Sequence, residues 1–315
     1  MLDTETVDYV RRWQTLAETL APGQEPPIRE QSTMAVLRFV ATARHFGAED
    51  ALEQARHIAA TFREDMTLHE KAVCDLWHGA ALIAVGQKNS ARARLSRAYE
   101  CETYASVRCD AAVRLAKCLM DNSAVASQWL ARAASLVQKP DSYWADKVEL
   151  ARACQAVAEG RLDEARILNV KVRDRARRAG RVRLAAIATS NLADCDLQNG
   201  DVEDARRGFA EANIMSRSLG TRTDQAIDAL NRGISEFYAG DSKVAREHLD
   251  RSVAIADDVG CKSIAIEARI YLGIVLALEG EIDAGEQLCL ATRDDVVGDE
   301  SLEFLYDLNL SVSYT

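Results

Sequence analysis

Along most of the chain, apolar stretches are interrupted by polar turns at a fixed interval. Glycines at 160, 200, 240 and 280 keep an unbroken forty-residue spacing, and a second series at 180, 220 and 260 falls halfway between. Each glycine of the first series opens a similar segment: Gly160-Arg-Leu-Asp-Glu-Ala165, Gly200-Asp-Val-Glu-Asp-Ala205, Gly240-Asp-Ser-Lys-Val-Ala245 and Gly280-Glu-Ile-Asp-Ala-Gly285. A glycine just past a helix C-terminus can take the left-handed conformation that closes the helix. The acidic residue after three of these glycines (Asp201, Asp241, Glu281) then stands near the start of the next helix, where it can cap free amides and meet the positive end of the dipole. The small residue five positions after each glycine lets two helices cross closely. The pattern predicts a unit of helix, tight turn, helix and short loop.

Upstream the unit continues with looser spacing. Gly86-Gln-Lys-Asn-Ser-Ala91 and Asp121-Asn-Ser-Ala-Val-Ala126 occupy the same role, and Gly47-Ala-Glu-Asp-Ala51 is a degenerate first copy. About seven units are therefore expected, with turns near 47, 86, 121, 160, 200, 240 and 280. Pro140 lies in a loop between two units, where helices can stop. The segment Ala21-Pro-Gly-Gln-Glu-Pro-Pro27 separates an expected helix near residues 4–20 from the array. Residues 1–28 are thus an N-terminal helix with a proline-rich linker, and residues 29–315 a single repeat domain.

The apolar positions share one frame with these turns. Leu192 and Ala193 precede Gly200 by eight and seven positions, Ala205 and Phe209 follow it by five and nine, and Ala212 takes the next small position. Gly79 with Gly86, Ala91, Leu95 and Ala98 is another copy, as are Gly233 with Gly240, Ala245 and Leu249, and Leu272-Gly273 with Gly280. Over roughly residues 30–315 these units resemble tetratricopeptide repeats. The resemblance implies an all-α fold, a right-handed α-solenoid whose first helices line a concave wall, a surface on which the family commonly binds extended peptides. Four residues depart from the family pattern: Asp196 stands where tyrosine is frequent, and Arg152, Arg232 and Asn169 stand where a large apolar residue is usual. The repeat is longer than the usual length of about thirty-four residues. In this it resembles the extended repeats of bacterial signal-transduction regulators, including peptide-sensing regulators and large transcriptional activators. Leu308-Asn-Leu-Ser-Val-Ser-Tyr-Thr315 resembles the first helix of one more unit, with Leu310, Ser311 and Tyr314 in family positions. Such an unpaired helix either caps the array or continues into a longer protein, and the second is the favoured expectation.

Composition narrows the class. Hydrophobic residues make up 48% and charged residues 28% of 315, enough for a substantial core, while the 6% of aromatics disfavours sandwiches and barrels. A net charge of -10 argues against broad nucleic-acid binding. The acidic N-terminus lacks the features of an export signal, and there is no apolar window long enough for a membrane span. The eight cysteines show no CxxC spacing and read as small packing residues in a reducing cytoplasm. The five histidines form no HExxH pair. With no P-loop, dinucleotide fingerprint, nucleophile elbow or metal motif, the expectation is a non-catalytic protein without cofactor or metal.

Candidate binding residues follow from the family's groove. Nine positions before the turn glycine stand Asn191, Asn231 and Tyr271, and Asn309 takes the same place in the final helix. The family often uses asparagine there to hold a peptide backbone, since one amide offers both donor and acceptor. Lys147, Ser190, Asp194, Gln198, Ile234, Phe237, Tyr238, Ile274 and Leu278 are expected on the same wall. Each apolar one has a plainer role in packing against the next repeat. Upstream, Leu76, Trp77, Ala80 and Ile83 are expected to be mostly buried.

Charge is uneven as well. Residues 161–183 carry nine basic side chains, among them Arg173, Arg175, Arg177 and Arg178, against three acids. The plainest interpretation is a face solvated or neutralised by the chain's own carboxylates; an acidic partner is the alternative, and without interleaved aromatics nucleic acid is disfavoured. An acidic stretch at 281–307 leaves head-to-tail self-association open. The favoured function is a cytoplasmic interaction module that grips a peptide or protein segment. The alternatives are a ligand- or peptide-sensing domain controlling an attached DNA-binding or catalytic output, and a self-associating scaffold.

Overall fold

A computed structural model describes residues 28–45, 48–102, 104–217, 221–293 and 306. The expected helix near 4–20, its linker, the turn at Gly47 and the final helix with Asn309 lie outside the described residues. All fourteen described helices pair into seven hairpins, with no strand among them. The first is α1 (Ile28–His45) with α2 (Ala48–Thr61), followed by α3 (Leu68–Ala84) with α4 (Lys88–Glu100) and α5 (Ala105–Lys117) with α6 (Ser123–Ser135). Then come α7 (Tyr143–Ala158) with α8 (Leu162–Arg178) and α9 (Val182–Gln198) with α10 (Val202–Arg217). Last are α11 (Arg222–Tyr238) with α12 (Ser242–Asp258), and α13 (Lys262–Leu278) with α14 (Ile282–Leu290). The architecture is a tetratricopeptide-type α-solenoid, as the repeat pattern predicts.

The glycine series does what its spacing implies. Gly86, Gly160, Gly180, Gly200, Gly240, Gly260 and Gly280 all have positive φ. At Gly160 the two bonds of a Schellman closure are present: its N–H donates to the Val157 carbonyl at 2.9 Å, and the Arg161 N–H to the Ala156 carbonyl at 2.8 Å. Capping is less uniform than the acidic residues suggest. Asp241 accepts from the Val244 N–H, but Glu281 makes no side-chain cap, and Asp201 accepts instead from the Asn199 amide.

The close crossings are also in place. Ala91, Ala165, Ala205 and Ala245 are wholly buried. Gly233 lies under Leu249, and Gly79 under Leu95: a Cβ on either glycine would approach the leucine Cγ to 2.6 and 2.7 Å. Neighbouring first helices touch one another along the array (α1–α3, α3–α5, α5–α7, α7–α9, α11–α13), while among the described residues second helices make no comparable contact with each other. The first helices therefore follow the smaller radius and line the concave wall. The superhelix curls far enough to meet itself. The Ala48 N–H donates to the Val259 carbonyl at 2.9 Å, and Gly260 lies against Glu49. No described helix is long and apolar enough to cross a membrane.

Candidate functional site

The concave wall over the last three hairpins is built from equivalent stripes on α9, α11 and α13. Four positions recur on each helix: Ile187, Asn191, Asp194 and Gln198; then Ile227, Asn231, Ile234 and Tyr238; then Glu267, Tyr271, Ile274 and Leu278. Helical spacing of three and four residues puts each set on one face. Several large apolar side chains stay open on it, Tyr238 at 53% and Leu278 at 61% exposure, with Ile187 and Ile227 less so. Phe237 forms an aromatic group with two tyrosines, edge-on to Tyr238 at 5.1 Å and to Tyr271 at 6.0 Å between ring centroids. Tyr271, Ile234 and Ile274 are buried and form the floor beneath.

Both asparagines are half-buried and donate within the chain. The Asn231 Nδ2 donates to the Ser190 Oγ at 3.0 Å and so ties α11 to α9. The Asn191 Nδ2 donates to the Asn169 Oδ1 at 3.3 Å. Asn169 is wholly buried on α8, where the repeat frame usually has a large apolar residue, and its own Nδ2 donates to the Ala165 carbonyl. Asn191 thus satisfies a polar group that would otherwise be orphaned in the core. Nearby, burial pushes the Asp194 carboxyl above its ordinary range, opposed by the Gln198 amide at 2.9 Å. The Tyr271 hydroxyl is also pushed up, first by burial and then by Tyr238 and Glu267.

Lys147 belongs to a different constellation. Its Nζ donates to Asp110, which Arg114 approaches at 3.4 Å, and its ammonium lies over the rings of Tyr143 and Trp144. Burial raises the Asp110 pKa, but Arg114 and Lys147 prevail and hold it well below the carboxylate range. A depressed folded pKa stabilises the fold above the unfolded value of about 3.9 and loses that contribution as pH falls through it. The stability gap between wild type and Asp110→Asn, read from urea midpoints, is therefore expected to be widest near neutral pH and to shrink below about pH 4. A gap unchanged between pH 7 and pH 2.5 would contradict this pairing.

The arginine-rich stretch is largely consumed internally. Arg175 is buried and binds Asp146 and Glu149 at 2.5 and 2.7 Å. Arg181 also binds Asp146, Arg177 binds Glu211, and Arg173 binds Asp174. Arg178 remains exposed. Trp77, upstream, is half-buried beneath the Arg114 guanidinium, and Leu76 is buried.

No family model matches the chain, and no curated protein matches it. Among solved structures, a Rap protein complexed with Competence and Sporulation Factor shares 13% identity over 98% of both chains, with a TM-score of 0.65. NprR in complex with its cognate peptide NprX shares 11% over the whole of both chains, with a TM-score of 0.62. A signal transduction ATPase with a tetratricopeptide repeat sensor from Pyrococcus horikoshii shares 14%, with a TM-score of 0.56, and this chain spans 52% of its length. At these identities the likeness is one of fold.

Proposed function

We propose that this chain is a non-catalytic regulatory module that holds an extended peptide segment against the concave wall of α9, α11 and α13. The observation that carries the proposal is the coincidence on one wall of amides one repeat apart, Asn191 and Asn231, with exposed Ile187, Ile227, Tyr238 and Leu278. An amide whose Nδ2 is fixed by Ser190 or Asn169 presents its carbonyl oxygen in a set direction, suited to accept from a peptide N–H. The apolar side chains beside it supply the area on which alternate peptide side chains rest. That two proteins of this fold, over nearly their whole length, are complexed with Competence and Sporulation Factor and with a cognate peptide supports the same use here.

Selection from a random heptapeptide library on the immobilised chain tests it. Enriched peptides are expected to bind the Asn231→Ala/Tyr238→Ser variant at least tenfold more weakly, because an acceptor and an anchor surface are lost together. Asn191 is left intact, since its removal would orphan buried Asn169 and confuse binding with stability. Failure to enrich any peptide, or equal affinity for both proteins, would refute the groove.

A further inference from the structure

A second site lies away from the concave wall, between α10, α11 and α12. Here a cavity of about 250 Å³ is lined by Asn213, Arg217, Gln225, Arg232, His248 and Arg251, with Ala229 at its side. Its lining holds three guanidiniums and an imidazole but no carboxylate. Elsewhere arginines of the neighbouring helices meet carboxylates at close range. Arg206 meets Glu236 at 2.8 Å, and Arg246 meets both Glu279 and Glu281, on the same hairpin or the next. Arg217, Arg232 and Arg251, by contrast, have no ion-pair partner among the described residues.

The origin of this cavity lies in the repeat frame. Eight positions before the turn glycine, Leu192 and Leu272 are buried in the hairpins on either side. Arg232 takes that place between them and is only half-buried, on the flank of α11 beside Asn231 rather than on the concave stripe. A cation that interrupts an apolar frame costs packing, and convergence with two more cations adds repulsion. Asp228 on α11 offers little relief. It is buried, and its carboxyl is pushed up to about 6 by burial and by Asp224, against the opposing Arg217. His248 is held below its ordinary value by burial, then by Arg232 and Arg251, against the opposing Glu236 and Glu247.

We infer that this cavity binds a small phosphomonoester, its phosphate held by Arg217, Arg232 and Arg251 and its organic part by Gln225 and Asn213. Planar guanidiniums match phosphate oxygens two at a time, and three of them suit a dianion better than a single carboxylate. The volume lies just under the range of about 300–1,000 Å³ that drug-sized ligands occupy, so it suits a compact metabolite.

Calorimetric titration of the full chain with inorganic phosphate and with glycerol 3-phosphate, each against potassium chloride of equal ionic strength, tests the site. Saturable binding of both is expected, weakened at least tenfold by Arg251→Gln and by Arg232→Gln. Without anion, both variants are expected to melt no lower than wild type, because each removes an unneutralised cation; a residue with a purely structural role would lower the melting point. The His248 ring titration, followed by NMR, should move to higher pH on saturation with phosphate. Absence of saturable heat with either probe, or binding untouched by both substitutions, overturns the site. Binding of phosphate with exclusion of glycerol 3-phosphate overturns its assignment to a phosphomonoester.

Discussion

Asp146→Ala is expected to cost about 3–5 kcal/mol, the range for removing one partner of a buried ion pair. The carboxylate is wholly buried, and two guanidiniums meet it: Arg175 from α8 at 2.5 Å, and Arg181 from the turn between α8 and α9. Arg175 is itself only 7% exposed, so the charge left behind cannot rehydrate in place, and only Glu149 at 2.7 Å and the exposed Asp141 at 3.9 Å would face it. Domains of this kind are stable by only about 5–15 kcal/mol in total. The defect also sits at a junction. A solenoid is stabilised by interfaces between neighbours, so weakening the α7–α8–α9 contact in the middle of the array should divide it into two cooperative blocks. Urea unfolding is expected to change from one transition to two, with the lower midpoint well below that of wild type. Asp204→Ala provides the contrast: its partner Arg207 and its own carboxylate are both well exposed, and less than about 1 kcal/mol is expected. Similar losses from both variants would show that Asp146 is not the central tie.

Much of this architecture is legible in the sequence because one local rule recurs along the chain. A positive-φ glycine, an alanine five positions on and a large apolar residue nine positions on are demands of backbone conformation and close packing, which leave a direct mark on residue type. The hairpins at 86, 200 and 240 follow it throughout, while that at 160 has Asn169 at the apolar position and that at 280 has Gly285 and Cys289 at the small and apolar positions. What the pattern does not carry is the destination of polar side chains. Residues 161–183 read as an arginine-rich surface, yet the acids that neutralise Arg175 and Arg177, namely Asp146, Glu149 and Glu211, come from neighbouring helices 26 to 34 residues away. Asn191 reads as a groove residue, but its amide donates to Asn169, a departure from the apolar frame whose partner no spacing reveals. The cavity between α10 and α12 left one trace: Arg232 at a position that is leucine in the hairpins on either side. An exception to a repeat frame marks a place where local packing has been given up, and only the fold shows which other side chains gather there.

The close crossings can be tested by a pair of substitutions in which the effect of the first changes sign in the background of the second. In the α11–α12 hairpin a Cβ on Gly233 would lie 2.6 Å from the Leu249 Cγ, and Leu249 is wholly buried, so the leucine cannot swing aside. Gly233→Ala gains about 1 kcal/mol of helix propensity but overpacks the crossing by about 1–3 kcal/mol, and a net loss is expected. Leu249→Ala removes the two shortest contacts, leaving the backbone N of residue 249 at 3.2 Å, and opens a cavity at a cost of about 2–5 kcal/mol. In that background the added methyl fills vacated space while its propensity gain remains. Gly233→Ala is therefore expected to stabilise Leu249→Ala, with a coupling of at least about 1 kcal/mol between residues in direct contact. The α3–α4 hairpin offers an internal replicate, since a Cβ on Gly79 would lie 2.7 Å from the Cγ of Leu95, which is equally buried. Chemical denaturation of the four proteins of each cycle would settle the matter. If the glycine substitution has the same sign in both backgrounds, in both hairpins, then the glycines are not there to let the leucines in, and the frame that defines the repeat must be explained by backbone flexibility instead.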